Sequence, residues 1–212
     1  EMQRSLVGSE MCIRDSHVTM NKRTNYRWVI CSMLFFATTI NYLDRQVLSL
    51  TWKDFIAPEF HWTNTHYGTI TALFSIFYAV SMLFAGKFVD KIGTKKGYLW
   101  AIGIWSIGAC LHAFCGIITS GVVAGRWLVG FADAKETIAT VGNTTLIVTV
   151  SVTLFIIARM ILALGEAGNY PAAIKTTAEY FPKKDRALAT SLFDCGSVVG
   201  ALAAPVTIPA IA

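Results

Sequence analysis

The sequence predicts an all-α membrane protein, and three observations carry that expectation. First, 54% of its 212 residues are hydrophobic, only 15% are charged, and the mean hydropathy is +0.53, an apolar share above that of soluble domains. Second, five windows, about 28–51, 67–88, 97–119, 144–170 and 187–212, hold few or no charges. Each is long enough to cross roughly 30 Å of hydrocarbon as a helix rising 1.5 Å per residue. Third, the basic residues fall in alternate links between these windows. They cluster at Arg4, Arg14, Lys22, Arg23 and Arg27, then at Lys87, Lys91, Lys95 and Lys96, then at Lys175, Lys183, Lys184 and Arg186.

Residues 1–19 are set apart as a probable non-native leader. The stretch "EMQRSLVGSEMCIRDS" has neither a helical stripe nor a signal-peptide apolar core and resembles translated adapter sequence. Met20 reads as a natural start, and the first span then serves as an uncleaved signal anchor. Trp28 and Trp52 stand near the two ends of that span, as an interfacial aromatic belt requires. The second and third spans are joined by "AGKFVDKIGTKKGYLW", a tight basic hairpin, and the fourth and fifth by "EYFPKKDRALAT", where Pro182 stops helix. The intervening links hold only Lys53, Arg126 and Lys135 as bases, so the positive-inside rule places the amino terminus in the cytoplasm. The longer link 120–149 is expected to carry an amphipathic helix on the membrane surface from about Gly125 to Thr140.

Small residues at Gly165, Gly168, Gly196 and Gly200 let helices approach closely. Pro171, Pro205 and Pro209 are expected to kink or break their helices. Five single cysteines, Cys12, Cys31, Cys110, Cys115 and Cys195, read as small buried side chains and not as disulfides. In "CLHAFC", Cys110, His112 and Cys115 diverge around a helix and cannot converge on one ion, which leaves His112 as a packing or cavity residue. No metal or cofactor is expected. Neither nucleophile-elbow nor phosphate-loop motifs occur, which disfavours an enzyme, and the placement of the bases accounts for the charge of +5 without nucleic acid.

The charges within the spans are the informative residues: Asp44 and Arg45 in the first, Arg159 and Glu166 in the fourth, and Asp194 in the fifth. A charge facing lipid near the bilayer centre costs about 2.5 to 3.5 kcal/mol on insertion scales, so each should face a cavity or a partner. Adjacent residues on a helix point about 100° apart, so Asp44 and Arg45 address different groups. Arg159 and Glu166, two turns apart, share a face at roughly 10 Å. Leaving Asp194 aside, the four charges sum to zero. If one carboxylate takes a proton, the site becomes positive and can bind an organic anion, which links proton and anion binding. Two purely structural ion pairs are the bland alternative.

The segment "GKFVDKIGTKK" matches the major facilitator superfamily signature G-x-x-x-D-[RK]-x-G-x-[RK]-[RK] at Gly86, Asp90, Lys91, Gly93, Lys95 and Lys96. Gly86 would allow close helix contact, Gly93 a tight turn, and Asp90 a bond to a helix end or to an arginine of the other half-transporter. The resemblance implies a cytoplasmic gate latch for this motif. Within that superfamily, "NYLDR" and "R-x6-GEAGNYPA" resemble the anion:cation symporter family, most closely bacterial hexuronate transporters. The resemblance implies the amino-terminal five-helix fragment of a twelve-helix major facilitator transporter, whose partners are a sugar acid, protons, the bilayer and the carboxy-terminal half of the same transporter. It implies that Arg45 binds the substrate carboxylate, that Tyr42 and Tyr78 line the sugar-acid site, and that Asp44 and Glu166 are the protonatable pair, with Arg159 supporting Glu166. At Asp194 the family commonly has Asn, a donor to sugar hydroxyls, so an acid stands there in the expected substrate site. The function expected is proton-coupled symport of a hexuronate. Galactonate or another organic anion, sodium coupling, and an uncoupled channel-like facilitator stay open as alternatives.

Overall fold

The computed structural model describes residues 24–127 and 130–211. The leader, Met20 and the first basic cluster except Arg27 lie outside the described residues. Helix α1 spans Thr24–Thr51 and runs through a π turn, Trp52–Ile56, into the short α2, Ala57–Phe60; then follow α3 (Asn64–Ile92), α4 (Thr94–Ala124), α5 (Phe131–Thr140), α6 (Thr144–Tyr180) and α7 (Arg186–Ile211). Among the described residues there is no strand. Helices α3, α4, α6 and α7 are long and apolar enough to cross a membrane. Helix α1 has 28 residues, about 42 Å at 1.5 Å per residue, but Thr38, Thr39, Asn41, Asp44, Arg45 and Gln46 lower its apolarity below that of the other four.

The helix ends follow from local chemistry. Thr63 caps α3 in a reciprocal box with His66, whose Nδ1 accepts from the Thr63 backbone N–H at 3.2 Å. Asn143 caps α6 by accepting from the Leu146 N–H at 3.1 Å. Gly93, at φ +91°, is the whole link between α3 and α4, a backbone conformation that glycine adopts without strain. Helix α6 continues through Pro171 and α7 through Pro205 and Pro209, so none of the three prolines breaks its helix.

Glycines set the helix spacing. A Cβ on Gly165 would collide with the Trp105 backbone of α4, and one on Gly108 would lie 2.6 Å from the Leu162 nitrogen of α6. The pair α1 and α7 is equally close: Cβ atoms on Gly196 and Gly200 would stand 2.5 Å from the carbonyl oxygens of Phe35 and Thr39. By contrast, nothing lies within 4 Å of a Cβ on Gly86, so this motif glycine is not needed for a close approach among the described residues.

The start of α1, the α3/α4 turn and the α6/α7 link meet at one end of the bundle. Trp28 packs edge-on against Phe181 at 5.4 Å, Arg27 reaches Asp185 at 3.5 Å, and Lys175 bridges α6 to Asp90 at 2.9 Å. Asp90 thus takes a lysine of this chain, where the sequence suggested a helix end or an arginine of another half-transporter. The opposite end holds the π turn, α2 and α5, knit by Trp52 stacked on Tyr67 at 4.5 Å and by a hydrogen bond of 2.9 Å from the Trp62 indole to Ser151. Both tryptophans of the supposed interfacial belt therefore pack on protein rings. The helix expected from Gly125 begins later, at Phe131, because Gly125 closes α4 in the left-handed region at φ +71°. Its buried stripe, Ala134, Thr137 and Ile138, packs onto the bundle.

Candidate functional site

Two polar groups straddle α1, reached by adjacent residues. On one side, Arg45 Nε donates to Glu166 Oε2 at 2.8 Å. Its guanidinium lies 4.3 Å from the Tyr78 ring centre and 5.3 Å from that of Tyr42, within the range of cation–π attraction. The Glu166 side chain is fully buried, whereas that of Arg45 is 25% exposed. Glu166 is thus enclosed within the bundle while part of the Arg45 side chain stays accessible. Glu166 Oε1 and Asn41 Nδ2 are buried with no hydrogen-bond partner in the protein.

On the other side, Asp44 Oδ2 accepts from the Trp105 indole at 2.7 Å. Asp44 also lines a cavity of about 450 Å³ between α1, α4, α6 and the α2/α5 end, together with Glu59, His112 and Arg159. Arg159 is buried with its guanidinium 5.2 Å from the Phe74 ring centre. Among the described residues it makes no ion pair within 4 Å; the direct contact with Glu166 is made by Arg45, while Arg159 stands two turns along the same helix from Glu166, as the sequence spacing implied. Those two turns separate Arg159 and Glu166 by roughly 10 Å.

The structure brings Arg45, Tyr42, Tyr78 and Glu166 into one contact group, and Asp44 and Arg159 around one cavity. Asp194 joins neither. It is exposed on α7, lines neither this cavity nor the groove between α1 and α4, and contributes only its carbonyl to a hydrogen bond from Ser197 at 2.7 Å. Lys91, Lys95 and Lys96 of the signature motif are exposed, at the end opposite α2 and α5. Among the described residues no group of His, Cys, Asp and Glu converges on a metal position. Cys110 is exposed and Cys115 buried, in keeping with their divergence around α4.

Sequence reasoning overlooked Trp105, Phe74 and Asn41. A signal existed for the first: Trp105 lies in the middle of α4, far from either end, and a buried indole N–H needs an acceptor. Phe74 carries no such mark, since an apolar ring in a span is ordinary until a cation is found over it.

Helices of membrane-crossing length around an ion pair whose carboxylate is fully buried define a multi-pass membrane protein with Arg45, Glu166 and Arg159 placed between its helices. The profile of the Major Facilitator Superfamily matches residues 34–135 and 136–212, and the chain belongs to that family. The chain is 29% identical over 176 residues to a probable galactarate/D-glucarate transporter of Escherichia coli (strain K12), covering 83% of this chain and 33% of that protein. It is 28% identical over 186 residues to the hexuronate transporter of the same organism, covering 88% and 35%. To a galacturonate transporter of Dickeya chrysanthemi it is 26% identical, covering 88% and 44%. It therefore spans about a third to under half of the length of these curated relatives, and no solved structure matches it. The family and the names of these relatives are those of transporters, not enzymes.

Proposed function

We propose that this chain is part of a proton-coupled symporter for a sugar acid of the hexuronate type. In this reading α1 is a fifth membrane span, the basic end of the bundle faces the cytoplasm of a bacterial inner membrane, and a carboxy-terminal half completes the site. The observation that carries it is the bond from Arg45 to Glu166 within a cage of Tyr42 and Tyr78. An ionised Glu166 occupies the guanidinium that a substrate carboxylate needs. A proton on Glu166 cancels that competing charge and frees Arg45, so substrate and proton bind together, each favouring the other. The tyrosine rings supply apolar faces for a sugar ring and hydroxyls for its polar edge. Asp44 supplies the second protonatable carboxylate, and the exposed lysines beside Asp90 belong to the cytoplasmic latch.

The cage presents one guanidinium, which suits one carboxylate and favours a hexuronate over an aldarate diacid. The similarity to probable galactarate/D-glucarate transporters supports the diacid as a second reading. The deciding experiment is uptake of labelled galacturonate by the transporter in proteoliposomes, with and without an inward proton gradient and with D-glucarate as competitor. Accumulation that follows the gradient is expected. Equilibration without accumulation would overturn coupling, and displacement by glucarate at lower concentration than by galacturonate would favour the diacid.

A further inference from the structure

We infer that the cavity beneath α2 and α5 is a hydrated proton path leading to Asp44, with Glu59 at its mouth and His112 as the relay. This rests on the proton symport proposed above and assigns the route, which the ion pair leaves open. The cavity's lining residues on α1 run from Asp44 to Thr51, and on α4 from Ala109 to Ile117, about 10 to 12 Å along each helix. It therefore reaches from mid-span to the end of the bundle where Glu59, Phe131 and Ala134 close over it. Its volume, about 450 Å³, holds on the order of ten waters at roughly 30 Å³ each, and its charged or polar side chains, Asp44, Thr51, Glu59, His112 and Arg159, provide partners for them.

The His112 ring is poised for transfer. Its Nδ1 lies 2.8 Å from the Gly108 carbonyl oxygen. A carbonyl can only accept, so Nδ1 carries the hydrogen and Nε2 carries the lone pair. Nε2 is buried with no hydrogen-bond partner in the protein, and the ring is held edge-on against Phe155 at 5.6 Å. The charged groups that share the cavity with it are Asp44 from α1, Glu59 from α2 and Arg159 from α6, with Lys135 of α5 acting on Glu59. The charges lining the cavity are two carboxylates and one guanidinium, which favours protons over a second anion. Burial pushes the Glu59 carboxyl up from its ordinary range while Lys135 pulls it down, so the mouth carries a carboxyl that takes up protons readily. In each passage Nε2 accepts a proton from cavity water and returns it through water to the Asp44 carboxylate. Once that proton is passed on, the ring is again neutral with its hydrogen on Nδ1.

The test compares wild type, His112→Phe and Glu59→Gln in proteoliposomes, each for gradient-driven uptake and for substrate exchange at equal pH. His112→Phe should lower driven uptake on the order of tenfold or more and keep exchange within about twofold; Glu59→Gln should lower driven uptake several-fold. Driven uptake by His112→Phe within twofold of wild type would overturn the relay and leave symport standing. A wild type that exchanges without gradient-driven accumulation would overturn symport and the relay with it. Should His112→Phe lose exchange as well, Ala113→Cys in a background without native cysteines decides. Its modification by a membrane-impermeant thiol reagent from the α2/α5 side supports a hydrated path, and lack of modification refutes one.

Discussion

Replacing Glu166 by Gln isolates the competition between the protein's own carboxylate and the substrate's. In the wild type, a substrate carboxylate that takes Arg45 while Glu166 is ionised must displace a charge-assisted hydrogen bond of 2.8 Å. Such bonds are worth about 1.5 to 3 kcal/mol, which at 1.36 kcal/mol per decade is about 10- to 150-fold in affinity. Wild-type affinity should therefore differ by about that factor between the acid limb of its pH dependence, where Glu166 carries a proton, and the alkaline limb, where it is ionised. Glu166→Gln keeps the shape and an acceptor oxygen but removes the charge, so its affinity should equal the acid-limb value at both pH values, within about twofold. Breaking a buried pair by removing one partner costs about 3 to 5 kcal/mol. Here the cost should be lower, because the Arg45 side chain is 25% exposed and keeps both tyrosine rings. Equilibrium binding of galacturonate by titration calorimetry, with thermal melts as the folding control, measures both effects. Retention of the wild-type pH dependence in Glu166→Gln would refute the competition. An affinity lowered more than tenfold at both pH values would instead make Glu166 a direct substrate contact.

Asp44→Asn should abolish gradient-driven uptake and leave exchange measurable in proteoliposomes, since the amide oxygen can still accept from the Trp105 indole; both persisting unchanged would remove Asp44 from coupling. Tyr78→Phe should change the exchange KM less than about threefold, whereas Tyr78→Ala, which forfeits a cation–π contact worth about 0.5 to 2 kcal/mol, should raise it between about 2- and 30-fold. Gly200→Leu places a branched chain where even a Cβ would be 2.5 Å from the Thr39 carbonyl oxygen. It should destabilise the protein by at least the 1 to 3 kcal/mol or so of an overpacked core, read as a lower melting temperature in detergent.

The all-helical architecture was legible because each crossing requires about twenty apolar residues, and links rich in Lys and Arg punctuate the runs. The extent of α6 was less legible. Its apolar run fades near Gly165, yet the helix continues to Tyr180, with Gly165 and Gly168 packed closely against Trp105 and Ala101 of α4. At the site, Asp44, Arg45, Arg159 and Glu166 could be read directly as charges within spans, and so could the divergence of Asp44 from Arg45, since the helical period fixes it, whereas Asp194 stands apart and Glu59, which lines the cavity, carried no such mark. The partner of Glu166 could not be read. Sequence spacing brings Arg159 to the same face of the same helix, whereas contact with Arg45 depends on how α1 lies across α6, which is a property of packing. His112 shows the converse: its neighbours in sequence excluded a metal site, but its unpartnered nitrogen exists only once α4 is set against α1 and α6.

The adjacency of Asp44 and Arg45 makes a prediction that composition alone does not. Exchanging the two residues, Asp44→Arg with Arg45→Asp, preserves net charge, length and polarity, so a segment that needed only hydrophilic residues at this depth would tolerate it. The structure says otherwise. A guanidinium at position 44 would face the Trp105 indole, donor against donor, and would lie in the cavity with Arg159. A carboxylate at position 45 would face the fully buried Glu166 and the negative faces of two tyrosine rings. Each orphaned polar group costs about 1 to 3 kcal/mol, and more where it is charged. The double exchange should therefore lose both exchange and driven uptake, with a melting temperature below that of either Asp44→Asn or Glu166→Gln. Retained exchange in the swapped protein would show that the two sides of α1 are interchangeable, and the division between a guanidinium for the anion and a carboxylate for the proton would fall.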